Sequence, residues 1–252
     1  MKFKLVPILD RMEDLYKSPR THERFERYLF MLQGKEKGEM VLPIAGYNPM
    51  GKANVLLKIR ELKKLQAELL IEETLQKINN DVKGKVNREI EVVINLADDV
   101  GGAWSNLYTT DFSSKFDITA LLKRNFCTPY YWTSENYTEE LIVRRAKEYV
   151  FRTLFRENNG NPKSLKDHLL QEVFVQDKCN NKENRYVHGI THTKIEKFYL
   201  EHAKSKDYNL IFNFFYGDEA SRSLEYACWG IKRFAGFEYA KYVSKSEKDL
   251  TF

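Results

Sequence analysis

Glu89-Ile-Glu-Val-Val-Ile-Asn-Leu-Ala97 decides the fold. Its β-branched centre is apolar almost without interruption. That is the pattern of a strand covered on both faces, the usual condition of strands in a parallel sheet. Upstream, residues 52–78 carry Leu56, Ile59, Leu62, Leu69, Leu70, Leu75 and Ile78 as the apolar side of a long helix, which Asn79-Asn80-Asp81 and Gly84 stop. Before that helix, residues 40–46 read as another strand. Strand, helix and strand form a right-handed βαβ unit by default.

Further towards the N-terminus, Ser18-Pro19 is a helix start, with Phe25, Tyr28, Leu29 and Leu32 on one face and Gly34 placed to end it. Downstream, residues 98–117 form a polar, Gly-rich segment longer than most connections, and loops of that length are commonly functional. Residues 118–124 look helical. Phe126 to Trp132 is a strand, restricted to an edge or to its first residues by Pro129. Thr138-Glu-Glu opens a helix to about Arg156, broken by Asn159-Gly-Asn-Pro162. Ser164-Leu-Lys-Asp167 and Thr193-Lys-Ile-Glu196 are capping-box starts for two more helices, with a loop over 177–186 between them. Tyr208–Tyr216 reads as the last strand, and Gly217-Asp218 turns the chain into a final helix over about 219–242. The tail is polar.

No internal repeat, low-complexity segment or linker divides the chain. The pattern specifies an α/β fold, with a small, mainly parallel sheet of about four strands flanked by many helices in a three-layer manner. Residues 1–252 are expected to form a single domain, with 138–205 as a helical insertion or lid.

Composition bounds the function. Of 252 residues, 42% are hydrophobic and 31% charged, which is ordinary globular usage. Phe and Tyr number 16 and 15, so a core or a binding surface is aromatic-rich. The net charge of +5 permits anionic partners without demanding nucleic acid. Cys127, Cys179 and Cys228 are odd in number and far apart, which argues against a disulfide framework and for a reducing compartment. The N-terminal apolar run is interrupted by Asp10 and Arg11, and no stretch approaches a membrane span. A cytoplasmic protein without a membrane partner is expected.

In open α/β sheets, ligands bind beyond the carboxyl ends of the strands. The first end is AGYNPMGKA, residues 45–53. Gly46 and Gly51-Lys52 have the spacing of a phosphate-binding loop, but Ala53 stands where that motif needs Ser or Thr, and Pro49 removes an N–H. A weaker anion site survives, in which Asn48, Gly51 and Lys52 hold the ligand at a helix start. The plainer alternative is that Asn48-Pro49 forms a turn and Gly51 allows close packing. The second end, Asp98-Asp99, could supply a general base or bind Mg²⁺, which takes one or two carboxylates plus substrate oxygens. Asp-Asp-x-Gly-Gly is also ordinary turn chemistry. Thr133 and Ser134 mark the third end, and Asp218, also a natural N-cap, marks the fourth.

The reading preferred from sequence is an enzyme acting on an anionic or phosphate-bearing small molecule. Asp98, Asp99 and Asp218 would be catalytic. Asn48, Gly51, Lys52, Thr133 and Ser134 would bind ligand, and Mg²⁺ is the candidate cofactor. The alternative is a non-catalytic nucleic-acid- or protein-binding module using the Arg145/Arg152/Arg156 stripe. The plainer reading of that stripe is a solvated helix face. An oligomeric structural protein is a third possibility. His188 and His192 would lie too far apart on an extended segment to share a metal. Cys127 and Cys228 read as core residues.

Overall fold

The computed structural model describes residues 1–35, 38–82, 88–101, 105–179 and 193–245. Among them the chain is mostly helical, with small parallel sheets of three and two strands. It divides into two compact units, Met1–Val150 and Phe151–Phe252.

The first unit opens on β1 (Lys2–Leu5), whose lysines face out and whose Phe3 is buried. This strand was not expected, although its alternation is visible in KFKL. Four helices follow: α1 (Leu9–Lys17), α2 (His22–Gln33), α3 (Ala53–Lys64) and α4 (Ala67–Asp81). Asp10 lies in the first turn of α1, and Glu68 of α4 accepts from the N–H groups of Ile8 and Leu9 at 2.6 and 3.0 Å, capping that helix from outside. The single helix expected over 52–78 is two, divided at Gln66, which has a left-handed backbone (φ 51°).

Glu89–Ala97 is likewise two strands, β2 (Glu89–Val92) and β3 (Asn95–Ala97). After α5 (Leu107–Phe116) and α6 (Thr119–Lys123) come β4 (Phe126–Cys127) and β5 (Tyr130–Trp132). One sheet has the order β1-β2-β4 and the other pairs β3 with β5, all parallel. The division falls beside Pro129, which has no N–H to give to a ladder. α5 occupies much of the segment expected as a loop, with Asn106 as its N-cap.

Residues 40–46 are not a strand. Pro43 cannot donate, and the buried Asn95 side chain bonds this segment to β3 in place of a ladder. Asn95 Nδ2 donates to the Pro43 carbonyl at 2.7 Å, and Asn95 Oδ1 accepts from Gly46 N–H at 2.8 Å. α4 ends at Asp81, within the stretch expected to stop it, and Asn79 also pairs in both directions with the backbone of Phe3 and covers the free edge of β1.

The helix α7 covers Glu139–Asn159. The second unit adds α8 (Leu165–Cys179), α9 (Thr193–His202), α10 (Tyr208–Ser223) and α11 (Ala235–Lys245). The capping box at Ser164 forms as expected: Ser164 N–H donates to Asp167, and Asp167 N–H to Ser164 Oγ.

The strand expected at Tyr208–Tyr216 is helical. Asp207 caps it by accepting from Leu210 N–H at 2.7 Å, and residues 210–217 are all buried. An apolar run buried all round has no period that separates helix from strand. Gly217 (φ 80°) kinks α10, and a Cβ there would lie 2.6 Å from the Lys232 carbonyl carbon. The final helix begins only at Ala235, and Cys228 between the two helices is exposed rather than core. Among the described residues no helix is long and apolar enough to cross a membrane.

Candidate functional site

The register Ala97↔Trp132 makes Asp98 and Thr133 leave β3 and β5 side by side, and Thr133 N–H extends the pairing to the Ala97 carbonyl. Thr133 Oγ1 lies 2.7 Å from Asp98 Oδ1 and 3.1 Å from Asp99 Oδ1. Ser134 holds Asp99 twice, through its N–H at 3.0 Å and its hydroxyl at 2.6 Å. The turn after β3 folds back, so that Gly101 N–H also donates to Asp98 Oδ1 at 3.0 Å. Four of the residues selected from sequence are thus one hydrogen-bonded cluster at the carboxyl ends of two parallel strands.

One face of α3 closes over this cluster. Asn54, Lys58 and Glu61 stand at i, i+4 and i+7 and so share a face. Asn54 Nδ2 donates to Asp98 Oδ1 at 2.8 Å. Lys58 Nζ donates to the Glu135 carbonyl and to Glu61, and Glu61 accepts from Tyr137 N–H. The turn after β5 is therefore clamped from α3. On its other side Arg145 holds Glu135 in a two-pronged pair at 2.6 and 2.7 Å.

Asp98 is 1% exposed. Burial pushes its pKa up, but donation from Thr133, Gly101 and Asn54 outweighs that, and the net shift is downward. The carboxylate is therefore ionised at neutral pH. Its Oδ1 is crowded with donors, whereas its Oδ2 is buried with no hydrogen-bond partner, and so is Asn54 Oδ1. Among the described residues no Lys, Arg or His forms an ion pair with Asp98 or Asp99. Asp99 is half-buried and Ser134 exposed, so the cluster reaches the surface.

The phosphate-loop spacing at 46–52 does not make a phosphate cradle. Such a cradle needs N–H groups aimed at the ligand, and here four of them are occupied internally. Gly46 N–H goes to Asn95, Tyr47 N–H to Ile44, Met50 N–H to Asn48 Oδ1, and Gly51 N–H to the Asn48 carbonyl. The Asn48 carbonyl also accepts from Tyr16, and Gly51 packs against Val55 and Tyr16. Lys52 is an exposed N-cap residue without a side-chain cap bond. AGYNPMGKA is the turn that delivers α3 to the strand ends.

Asp218 lies in the second unit within α10, just past the Gly217 kink, so it marks no strand end. It accepts from the N–H groups of Trp229, Gly230 and Ile231 and from Asn213, and it organises that loop rather than capping a helix. The arginine stripe is not a solvated face. Arg145 is paired with Glu135. Arg152 and Glu172, 2% and 0% exposed, form a buried pair at 2.6 Å, and the buried Arg156 donates to Gln171. His188 and His192 lie outside the described residues. Among the described residues no three His, Cys, Asp or Glu side chains are placed to hold a metal together.

Sequence reasoning missed Asn54 and Gly101. The signal for Asn54 was a polar residue at helical spacing from Lys58 and Glu61. No family model, curated protein or solved structure matches this chain.

Proposed function

We propose that this chain binds a small polar molecule at the carboxyl ends of β3 and β5 and acts on it as an enzyme, with Asp98 anchoring the ligand. One observation carries this reading: Asp98 is a buried carboxylate whose Oδ2 has neither a hydrogen-bond donor nor a counter-ion among the described residues. Buried charges are ordinarily paired, because an unsatisfied one is costly. An open anionic oxygen favours an O–H, an N–H or a positive charge brought by a ligand. Thr133, Gly101 and Asn54 hold Asp98 in place. Asp99, held by Thr133 and Ser134, carries the second negative charge nearer the surface.

The carboxyl ends of parallel strands are also where α/β folds generally place ligands. A phosphate held directly by residues 46–52 finds no support, because the N–H groups of Gly46, Tyr47, Met50 and Gly51 are bonded within the protein. A nucleic-acid surface on α7 finds none either, because Arg145, Arg152 and Arg156 are engaged in pairs.

The test is chemical-shift mapping on ¹⁵N-labelled protein against a library of polyols, amines and carboxylates. Binding fragments should perturb amides at 98–101 and 133–134, and Thr133→Val should weaken that response while Lys52→Ala leaves it intact. Fragments that bind only elsewhere would sink the proposal.

A further inference from the structure

We infer that this cluster is a site for a hard divalent cation of the Mg²⁺ kind, held by Asp98 and the side-chain carbonyl of Asn54, with the Asp99 carboxylate beside it. The inference rests on the reading above and adds what the site takes.

The charge balance comes first. Thr133 Oγ1 lies within hydrogen-bond distance of both carboxylates, but a hydroxyl has one proton and can satisfy only one of them. The two negative groups therefore share one hydroxyl besides their separate donors, and among the described residues neither has an ion-pair partner. A cation bound on the open side of Asp98 offsets that repulsion.

The second observation is the orientation of Asn54. A carboxylate only accepts, so Nδ2 must face Asp98 Oδ1, and this fixes Asn54 Oδ1 as the second buried oxygen without a donor. The two open oxygens are near each other. Both lie close to the position a Cβ would take on Gly101, Asp98 Oδ2 at 2.8 Å and Asn54 Oδ1 at 3.2 Å. Two unpartnered acceptors, one on a side chain 1% exposed, thus converge where the chain carries no side chain.

The donor set selects the metal. Every open lone pair belongs to oxygen, with no thiolate or imidazole, which favours hard cations. Mg²⁺ usually takes one or two carboxylates and completes its shell with water and substrate oxygens. One carboxylate oxygen and an amide oxygen, with the charge of Asp99 close by, fit that habit, and further acidic ligands are not required. A cation seated there would present positive charge at the strand ends. That gives an anionic substrate a means of recognition that the N–H groups of residues 46–52 do not supply.

The experiment uses the full chain, stripped with EDTA and dialysed, with Mn²⁺ as a paramagnetic probe. Substoichiometric Mn²⁺ should selectively broaden amides at 98–101 and 133–134, and excess Mg²⁺ should restore them. Asp98→Asn should weaken Mn²⁺ binding about tenfold or more, Asp99→Asn should weaken it less, and Asp177→Asn on exposed α8 surface should leave it unchanged. If a variant does not fold, the relaxation map of the unaltered protein decides. No selective broadening at ~1 mM Mn²⁺, or broadening centred elsewhere, overturns the inference. If ethylammonium perturbs the cluster and Mn²⁺ does not, the cation inference falls while the small-molecule reading stands. If neither these cations nor any library fragment perturbs it, both fall.

Discussion

Asn54 Nδ2 donates to Asp98 Oδ1 at 2.8 Å, and this bond fixes the first turn of α3 against the end of β3. Asn54→Ala should remove the bond and its anchoring at a cost of about 1–2 kcal/mol. Asn54→Asp should cost more in EDTA, because a third carboxylate then faces Asp98 without a donor. Mg²⁺ should recover part of that difference. Urea denaturation of the two variants, with and without Mg²⁺, measures all three quantities. Equal stabilities for the Ala and Asp variants in EDTA would show that Asp98 does not sense charge at this position.

Gly101 makes the second expectation. Its N–H is bonded to Asp98 Oδ1, and an added Cβ would stand 2.8 Å from Asp98 Oδ2 and 3.1 Å from Asn54 Nδ2. Either the turn opens or Asn54 moves. Gly101→Ala should therefore destabilise by roughly 1–3 kcal/mol. It should also shift the amide resonances of Thr133 and Ser134, which touch the same carboxylates. A stability change within about 0.5 kcal/mol, as at an ordinary surface position, would mean that the turn yields freely.

How much of this was legible follows from where the periodicity was unambiguous. Glu89–Ala97 and Phe126–Trp132 were recognisable as strands because they combine β-branched or aromatic residues with short length. Their parallel pairing is what brings Asp98 and Asp99 to Thr133 and Ser134, so this half of the candidate site was readable. Tyr208–Tyr216 was not. It is apolar on every side, and its helical signal lay outside the run, in Asp207 as N-cap. The segment 40–46 failed for the converse reason. It is apolar and follows a glycine-bounded helix, but Pro43 breaks its ladder and a distant amide, Asn95, takes over the pairing. A bond between residues separated by 52 positions leaves no local trace. The same holds for Asn54 on Asp98, and for the arginines, whose partners Glu135, Glu172 and Gln171 sit on other elements.

The buried pair in the second unit gives a third expectation. Arg152 meets Glu172 through two bonds at 2.8 and 2.6 Å with both side chains essentially enclosed. Removing one charge strands the other, so Glu172→Gln should cost roughly 3–5 kcal/mol. Replacing both, as Arg152→Met with Glu172→Leu, should restore much of that, because neither desolvated charge then remains. Urea or thermal melts of the two singles and the double complete the cycle. A double variant no more stable than Glu172→Gln would show that the pair's further neighbours, not the two charges, hold this region.

His168 makes the last expectation, and its sign is fixed by burial. Desolvation lowers its pKa to about 4, the charge of Arg156 adds to the lowering, and Glu172 and Asp167 oppose it. In the unfolded chain the imidazole titrates near ~6.5. Above that pH both states are neutral and His168 makes no pH-dependent contribution. Between 6.5 and about 4 the unfolded chain binds a proton that the folded one refuses, so acidification favours unfolding. The loss across this window is on the order of 3 kcal/mol if the full shift is expressed. Asp167 and Asp218, whose pKa values are lowered, act in a separate window: their stabilisation is complete above about pH 4 and disappears only as pH falls through their folded values. Stability against urea from pH 7 to 4.5 should therefore slope downward in the unaltered protein, and the slope should flatten in His168→Phe while the loss below pH 4 remains. An unchanged slope in that variant would assign the titration to another group, and a slope of opposite sign would mean that the folded protein stabilises the protonated imidazole.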